Sequence, residues 1–213
     1  VLELIQAGGW LMIPILLCSV IAVAIIAERL WILQQKKVIP EKLLTGIWNL
    51  LDKNALTEKH INEIEIGSPL GQVLAAGLIN RHQSRDLIRE SIEETGRHVV
   101  HEMERFMNTL GTISTITPLL GLLGTVIGMI KVFTAITTIG VGDPAQLAGG
   151  ISEALITTAA GLSIAIPSLI FHRYLKRKID ELVVGMEQEA MKLVEFLHGD
   201  RKNFSTKEPL VNS

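Results

Sequence analysis

Three windows free of charged side chains constrain this chain more than any other feature of it. Leu4 to Ala27, Phe106 to Ile130 and Ala154 to Phe171 contain no Asp, Glu, Lys or Arg, and the weakly polar stretch Leu147 to Ser152 leads into the third. Each window can supply the ~20 residues that an α-helix needs to cross ~30 Å of hydrocarbon at ~1.5 Å per residue. Composition agrees. Of 213 residues 48% are hydrophobic but only 4% are aromatic, so the apolar content is aliphatic and small. That mixture suits helices packed in lipid better than a soluble core built on aromatic anchors. A cleavable secretory leader fits the first window poorly, because the basic residues follow it instead of preceding it. The expected fold class is all-α: an integral membrane chain with three transmembrane helices and long cytoplasmic helical extensions.

The cations orient these spans. Of the 20 Lys and Arg residues, 11 lie between the first and second windows, beginning with Arg29, Lys36 and Lys37, and 8 follow the third, beginning with Arg173, Lys176, Arg177 and Lys178. The remaining one, Lys131, closes the second window, and the connection from Thr134 to Gly150 has none. The positive-inside rule then predicts an outer N-terminus, a large inner loop, a short outer loop and an inner C-terminus. Lys131 would snorkel to the outer interface. With 22 acidic residues the net charge is only -2, so nothing in the balance calls for nucleic acid as a partner.

Six segments follow from this reading. Residues 1–31 hold the outer N-terminus and first span, 32–105 an inner helical domain, 106–134 the second span, 135–146 the outer loop, 147–173 the third span, and 174–213 an inner helix and loose tail. Pro40 and Gly67-Ser68-Pro69 mark turns between short helices in the inner domain. From Asp86 onward, Ile88, Ile92, Val99, Met103, Phe106 and Leu110 fall at helical spacing, which predicts one helix running straight into the second span, with Gly96 as its weak point. Beyond the third span, Ile179, Leu182, Met186, Ala190, Leu193 and Leu197 keep the same period until Gly199. Asp143-Pro144-Ala145-Gln146 reads as a helix start, with Asp at the N-cap and Pro at the first helical position. That start places Glu153 roughly 15 Å along the third helix, inside the outer leaflet. Pro167, farther in, should kink the helix.

Two helices carry the polar features. In the second span Ser114, Pro118, Gly121, Thr125 and Gly128 form one stripe, and Gly124 with Gly128 makes a small-xxx-small pair that permits close helix approach. In the third, Gly150, Glu153, Ala154, Thr157, Gly161, Ala165 and Ser168 form another, flanked by Thr158. Such stripes serve plain helix packing as well as a polar path. Glu153 separates the two readings, since an acid within a span costs about 3 kcal/mol on insertion scales and belongs in a bundle interior or in water. It is either a structural carboxylate, hydrated at the interface or neutralised by Lys131, or a group that binds and releases protons beside hydroxyls that can support water.

The residues from Thr117 to Met129, Thr-Pro-Leu-Leu-Gly-Leu-Leu-Gly-Thr-Val-Ile-Gly-Met, resemble the second-span signature of the MotA/TolQ/ExbB proton-channel family. The residues from Gly150 to Leu162, followed by Ala165-Ile166-Pro167, resemble its third-span signature. Three spans and a short chain resemble the ExbB and TolQ branch more than the flagellar stators. The resemblance implies a subunit of a bacterial inner-membrane motor with a periplasmic N-terminus and a cytoplasmic C-terminus. It further implies an oligomeric helix bundle around a central pore, a homopentamer enclosing a dimer of an ExbD or TolR-like single-span partner. That partner carries an intramembrane Asp, and proton flow does work on TonB or TolA-type proteins. By motif, Glu153 matches the family glutamate, and Thr125 and Thr158 match its pore threonines; Thr157 is an additional hydroxyl. From the small-residue stripes themselves, Gly121, Gly124, Gly128 and Gly161 are the expected helix-packing positions.

Other chemistries find little support. Gly161-Leu162-Ser163-Ile164-Ala165 lacks the second glycine of a hydrolase elbow, and His98-Val99-Val100-His101-Glu102 misplaces the acid of a zinc-protease helix. Cys18 is the only cysteine, so neither a disulfide within the chain nor a cysteine metal site is available. No Gly-Lys-Ser/Thr loop is present to hold a nucleotide phosphate. The sequence therefore predicts no enzyme, metal or cofactor. A non-conducting membrane scaffold and a TolQ-like role in envelope maintenance are the alternatives to an ExbB-like motor.

Overall fold

The computed structural model describes residues 8–140 and 144–199. Within them the chain is helical without strands: α1 (Met12–Ile32), α2 (Gln35–Val38), α3 (Leu43–Asp52), α4 (Glu58–Gly67), α5 (Pro69–Ile79), α6 (Arg85–Met103), α7 (Met107–Ile139) and α8 (Pro144–Leu197). Three helical stretches are long and apolar enough to cross a membrane, with mean hydropathies of 2.2, 2.1 and 1.9. The chain divides into two compact units, residues 1–31 with 106–176, and 32–105 with 177–213.

The first unit is built from α1, α7 and the first part of α8. It buries Ile15, Ile25, Leu110 and Ile113, yet it also leaves many large apolar side chains uncovered and encloses several hydroxyls. Leu17, Val20, Val23, Leu119, Leu122, Phe133, Leu155, Ile166 and Ile170 are exposed, whereas Ser114, Thr117, Thr157 and Ser168 are buried. Apolar side chains outside and hydroxyls inside suit a surrounding of acyl chains, where helix association depends on close packing and internal polar contacts. The hydroxyls next to the two helix prolines bond within their own helices: Thr117 donates to Ile113 O, and Ser168 to Ile164 O at 2.7 Å. Both α7 and α8 continue through their prolines, Pro118 and Pro167.

The second unit is organised around α5, which buries Leu70, Val73, Leu74, Ala75 and Leu78. Ser68 caps it by accepting the Gly71 N–H at 3.0 Å, and Pro69 opens it, so the Gly67-Ser68-Pro69 breakpoint is a stop followed directly by a start. From α6 come Ile88, Ile92, Val99 and Met103, and from the end of α8 Ile179, Leu182, Met186, Ala190 and Leu193, all buried. Trp48 stacks on Phe196 with ring centroids 5.9 Å apart. These are the side chains a solvated helical domain should bury at 3–4 spacing.

Two expectations need comment. The helix predicted to run from Asp86 into the second span is interrupted: α6 ends at Met103, and Phe106 precedes α7 at φ 64°, in the left-handed region. A bulky residue there costs about 1–2 kcal/mol of backbone strain. The Phe106 ring lies 5.6 Å beneath the guanidinium of Arg29, a cation–π contact worth about 0.5–2 kcal/mol, which offsets that strain. Gly96, the expected weak point, lies inside unbroken α6. At the outer connection α8 begins at Pro144, as its start signal predicts, while Asp143 and the Gln146 side chain lie outside the described residues. So does the tail from Asp200. α7 extends to Ile139, where Gly140 at φ 80° donates its N–H to Ile136 O.

Candidate functional site

The site is assembled where α7 meets α8, and glycines set how closely these helices approach. A Cβ placed on Gly161 would lie 2.7 Å from Thr117 O, and one on Gly121 only 3.0 Å from Thr158 Cα. At Gly128 it would meet Ala154 Cβ and Gly150 O, each at 2.8 Å, and at Gly124 it would overlap Thr157. All four glycines therefore face the other helix, and Gly121, Gly128 and Gly161 lie against its backbone. This proximity exposes Gly121 O to Thr158, whose hydroxyl donates to it across the interface at 2.8 Å.

Farther along the same pair of helices, Lys131 Nζ donates to both oxygens of Glu153, at 2.6 Å to Oε1 and 2.8 Å to Oε2. The Glu153 side chain keeps 20% of its exposure and that of Lys131 52%. The Lys131 side chain folds onto the carboxylate. The two residues lie on different helices, so this contact both neutralises the acid and ties α7 to α8.

The threonines are disposed differently from one another. Thr157 is buried and donates to Glu153 O at 2.6 Å and Ala154 O at 3.1 Å, both carbonyls of its own helix. Thr125 donates to Leu122 O at 2.6 Å within α7. Each hydroxyl thus has its proton engaged by a backbone carbonyl and retains lone pairs that can accept from water or from a protonated acid. Glu153 is drawn to Lys131, Thr158 to Gly121, and Thr157 to the backbone of the Glu153 turn.

One contributor was not singled out in the sequence. Gly9, at φ 69° in the turn before α1, sits against Glu153, with the position of a Cβ overlapping Oε1 and 3.0 Å from Cδ. Its only local signal is the Gly8-Gly9 pair ahead of the first span, which by itself reads as a helix boundary. Among the described residues no group of His, Cys, Asp and Glu could hold a metal ion.

The model of the MotA/TolQ/ExbB proton channel family matches residues 65–188, which include α7, Lys131, Glu153 and the three threonines. The chain belongs to that family. Within it, similarity extends to the biopolymer transport protein ExbB-like 1 of Synechocystis, 37% identical over 79% of this chain and 67% of that protein. The biopolymer transport protein exbB1 of Vibrio cholerae is 31% identical over 87% of this chain and 83% of its own length. A Methanothermobacter thermautotrophicus ExbB homolog is 29% identical over 88% of this chain and 67% of its own. The family membership and the three apolar helices make this a membrane protein of the ExbB-like kind.

Proposed function

We propose that this chain is the proton-conducting subunit of an ExbB-like inner-membrane motor, with Glu153 as its ionisable group. The observation that carries this reading is the placement of Glu153: a carboxylate within an apolar helix, one-fifth exposed, beside the hydroxyl-bearing interface of α7 and α8. In this reading Thr125, Thr157 and Thr158 hold water or relay protons along the path. The chain forms a homopentamer around the single-span helices of an ExbD or TolR-like dimer. One elementary charge crossing ~100 mV releases ~2.3 kcal/mol, so repeated protonation of identical subunits accumulates useful work. That work is passed to a TonB-type protein serving outer-membrane transport. No cofactor takes part, and the N-terminus is periplasmic.

A structural reading also has a specific observation behind it, since the Lys131–Glu153 ion pair joins two helices without any proton movement. Glu153→Gln separates the two. It keeps the shape and a hydrogen-bond acceptor for Lys131 but cannot bind and release a proton. The motor reading expects normal insertion and oligomerisation with loss of proton-motive-force-dependent uptake in cells. Retained uptake in that variant would sink it in favour of a scaffold.

A further inference from the structure

The geometry points to Gly9 as a positioning residue for Glu153: the left-handed turn ahead of α1 closes one side of the carboxylate and keeps it on Lys131. This inference deepens the motor reading and rests on it for functional meaning, though not for its geometry. Three observations converge. Gly9 has φ 69°, a conformation that residues with a Cβ adopt with strain. Its backbone runs along the acid: a Cβ there would overlap Oε1 and lie 3.0 Å from Cδ and 3.6 Å from Cγ. The turn is also anchored to the same helix face, because a Cβ on Gly8 would lie 3.4 Å from Ile156 Cγ2, on the residue three past Glu153.

The oxygen that Gly9 faces is the one Lys131 holds at 2.6 Å. A side chain at position 9 therefore pushes on that oxygen, and because Oε1 is the movable end of the Glu153 side chain, it is the carboxylate that shifts from its present place against the ammonium. The turn has little freedom to yield. Met12 N–H bonds Gly9 O at 3.2 Å, and Leu11, Met12 and Ile15 immediately behind it are buried. The turn ahead of α1 thus meets the acid at a residue without a side chain, which no inspection of ionisable residues would reveal.

The test uses the full chain in native membranes and the infrared carboxylate band of Glu153, isolated as the difference between wild type and Glu153→Gln. Gly9→Ala is expected to shift that band, whereas Gly8→Ala, whose added methyl meets mainly the flexible Met12 side chain, leaves it in place. An unshifted band in a properly inserted Gly9→Ala protein overturns the proposal. Should Gly9→Ala fail to accumulate, the pair Gly8→Cys with Ile156→Cys in a Cys18→Ser background decides. Oxidative cross-linking supports the turn's position over the site, and its absence overturns it. The band reports geometry alone. Uptake retained in Glu153→Gln would remove the motor reading while leaving a shifted Gly9→Ala band intact, so the two failures are distinguishable.

Discussion

Lys131 and Glu153 are the residues on which opposite readings of this chain converge. Their pair is neither a surface salt bridge nor a fully buried one, because Lys131 is half exposed and Glu153 largely covered. Removing the ammonium alone leaves a carboxylate among apolar neighbours, so Lys131→Met should destabilise the protein by about 1–3 kcal/mol. The double variant Lys131→Met with Glu153→Gln should recover much of that loss, since no uncompensated charge remains. Unfolding midpoints in detergent, arranged as a double-mutant cycle, measure both. A fully additive cycle would mean that the pair contributes nothing to stability. Glu153 and its place within a span could be read from the order of residues alone. Its contact with Gly9 could not, because it joins residues far apart in sequence and involves a residue with no side chain to draw notice.

At the scale of the helix, the glycines of this chain play opposite parts. Gly161 and Gly121 face backbone atoms of the opposing helix, where no flexible group can retreat, so Gly161→Ala should cost about 1–3 kcal/mol through forced separation of α7 and α8. Gly96 has nothing within 4 Å of where its Cβ would be, and Gly96→Ala should stabilise α6 by about 1 kcal/mol. Thermal denaturation of the two variants, measured side by side, should move in opposite directions. The small-residue spacing 4, 3, 4, 3 in the second span marks a narrow face without specifying its neighbour. The interruption at Phe106 had no sequence signal, since the break is made by a phenylalanine in a glycine-like conformation and is compensated by Arg29 from another element. A period of apolar residues continues across such a break as readily as through an unbroken helix.

For the whole molecule, each unit follows the rules of a different solvent. In one, a band of large apolar side chains is left uncovered while Ser114, Thr117, Thr157 and Ser168 are enclosed; in the other, the aliphatic residues of α5, α6 and the end of α8 are enclosed. The cation asymmetry predicts the orientation, which impermeant thiol labelling in a Cys18→Ser background can check. Thr138→Cys should label from the outer side of intact cells, and Gly46→Cys only after permeabilisation. The opposite pattern would invert the topology. The sequence by itself determined the class of fold, the number of apolar spans, the helix start at Pro144 and the family, because hydrophobic length, capping chemistry and long motifs are local along the chain. Only the tertiary structure decided that Lys131 reaches Glu153, that Thr158 bonds across to Gly121, and that Gly9 lies over the acid. Those contacts depend on how closely helices approach and in which register, and that is set by the glycine faces acting together.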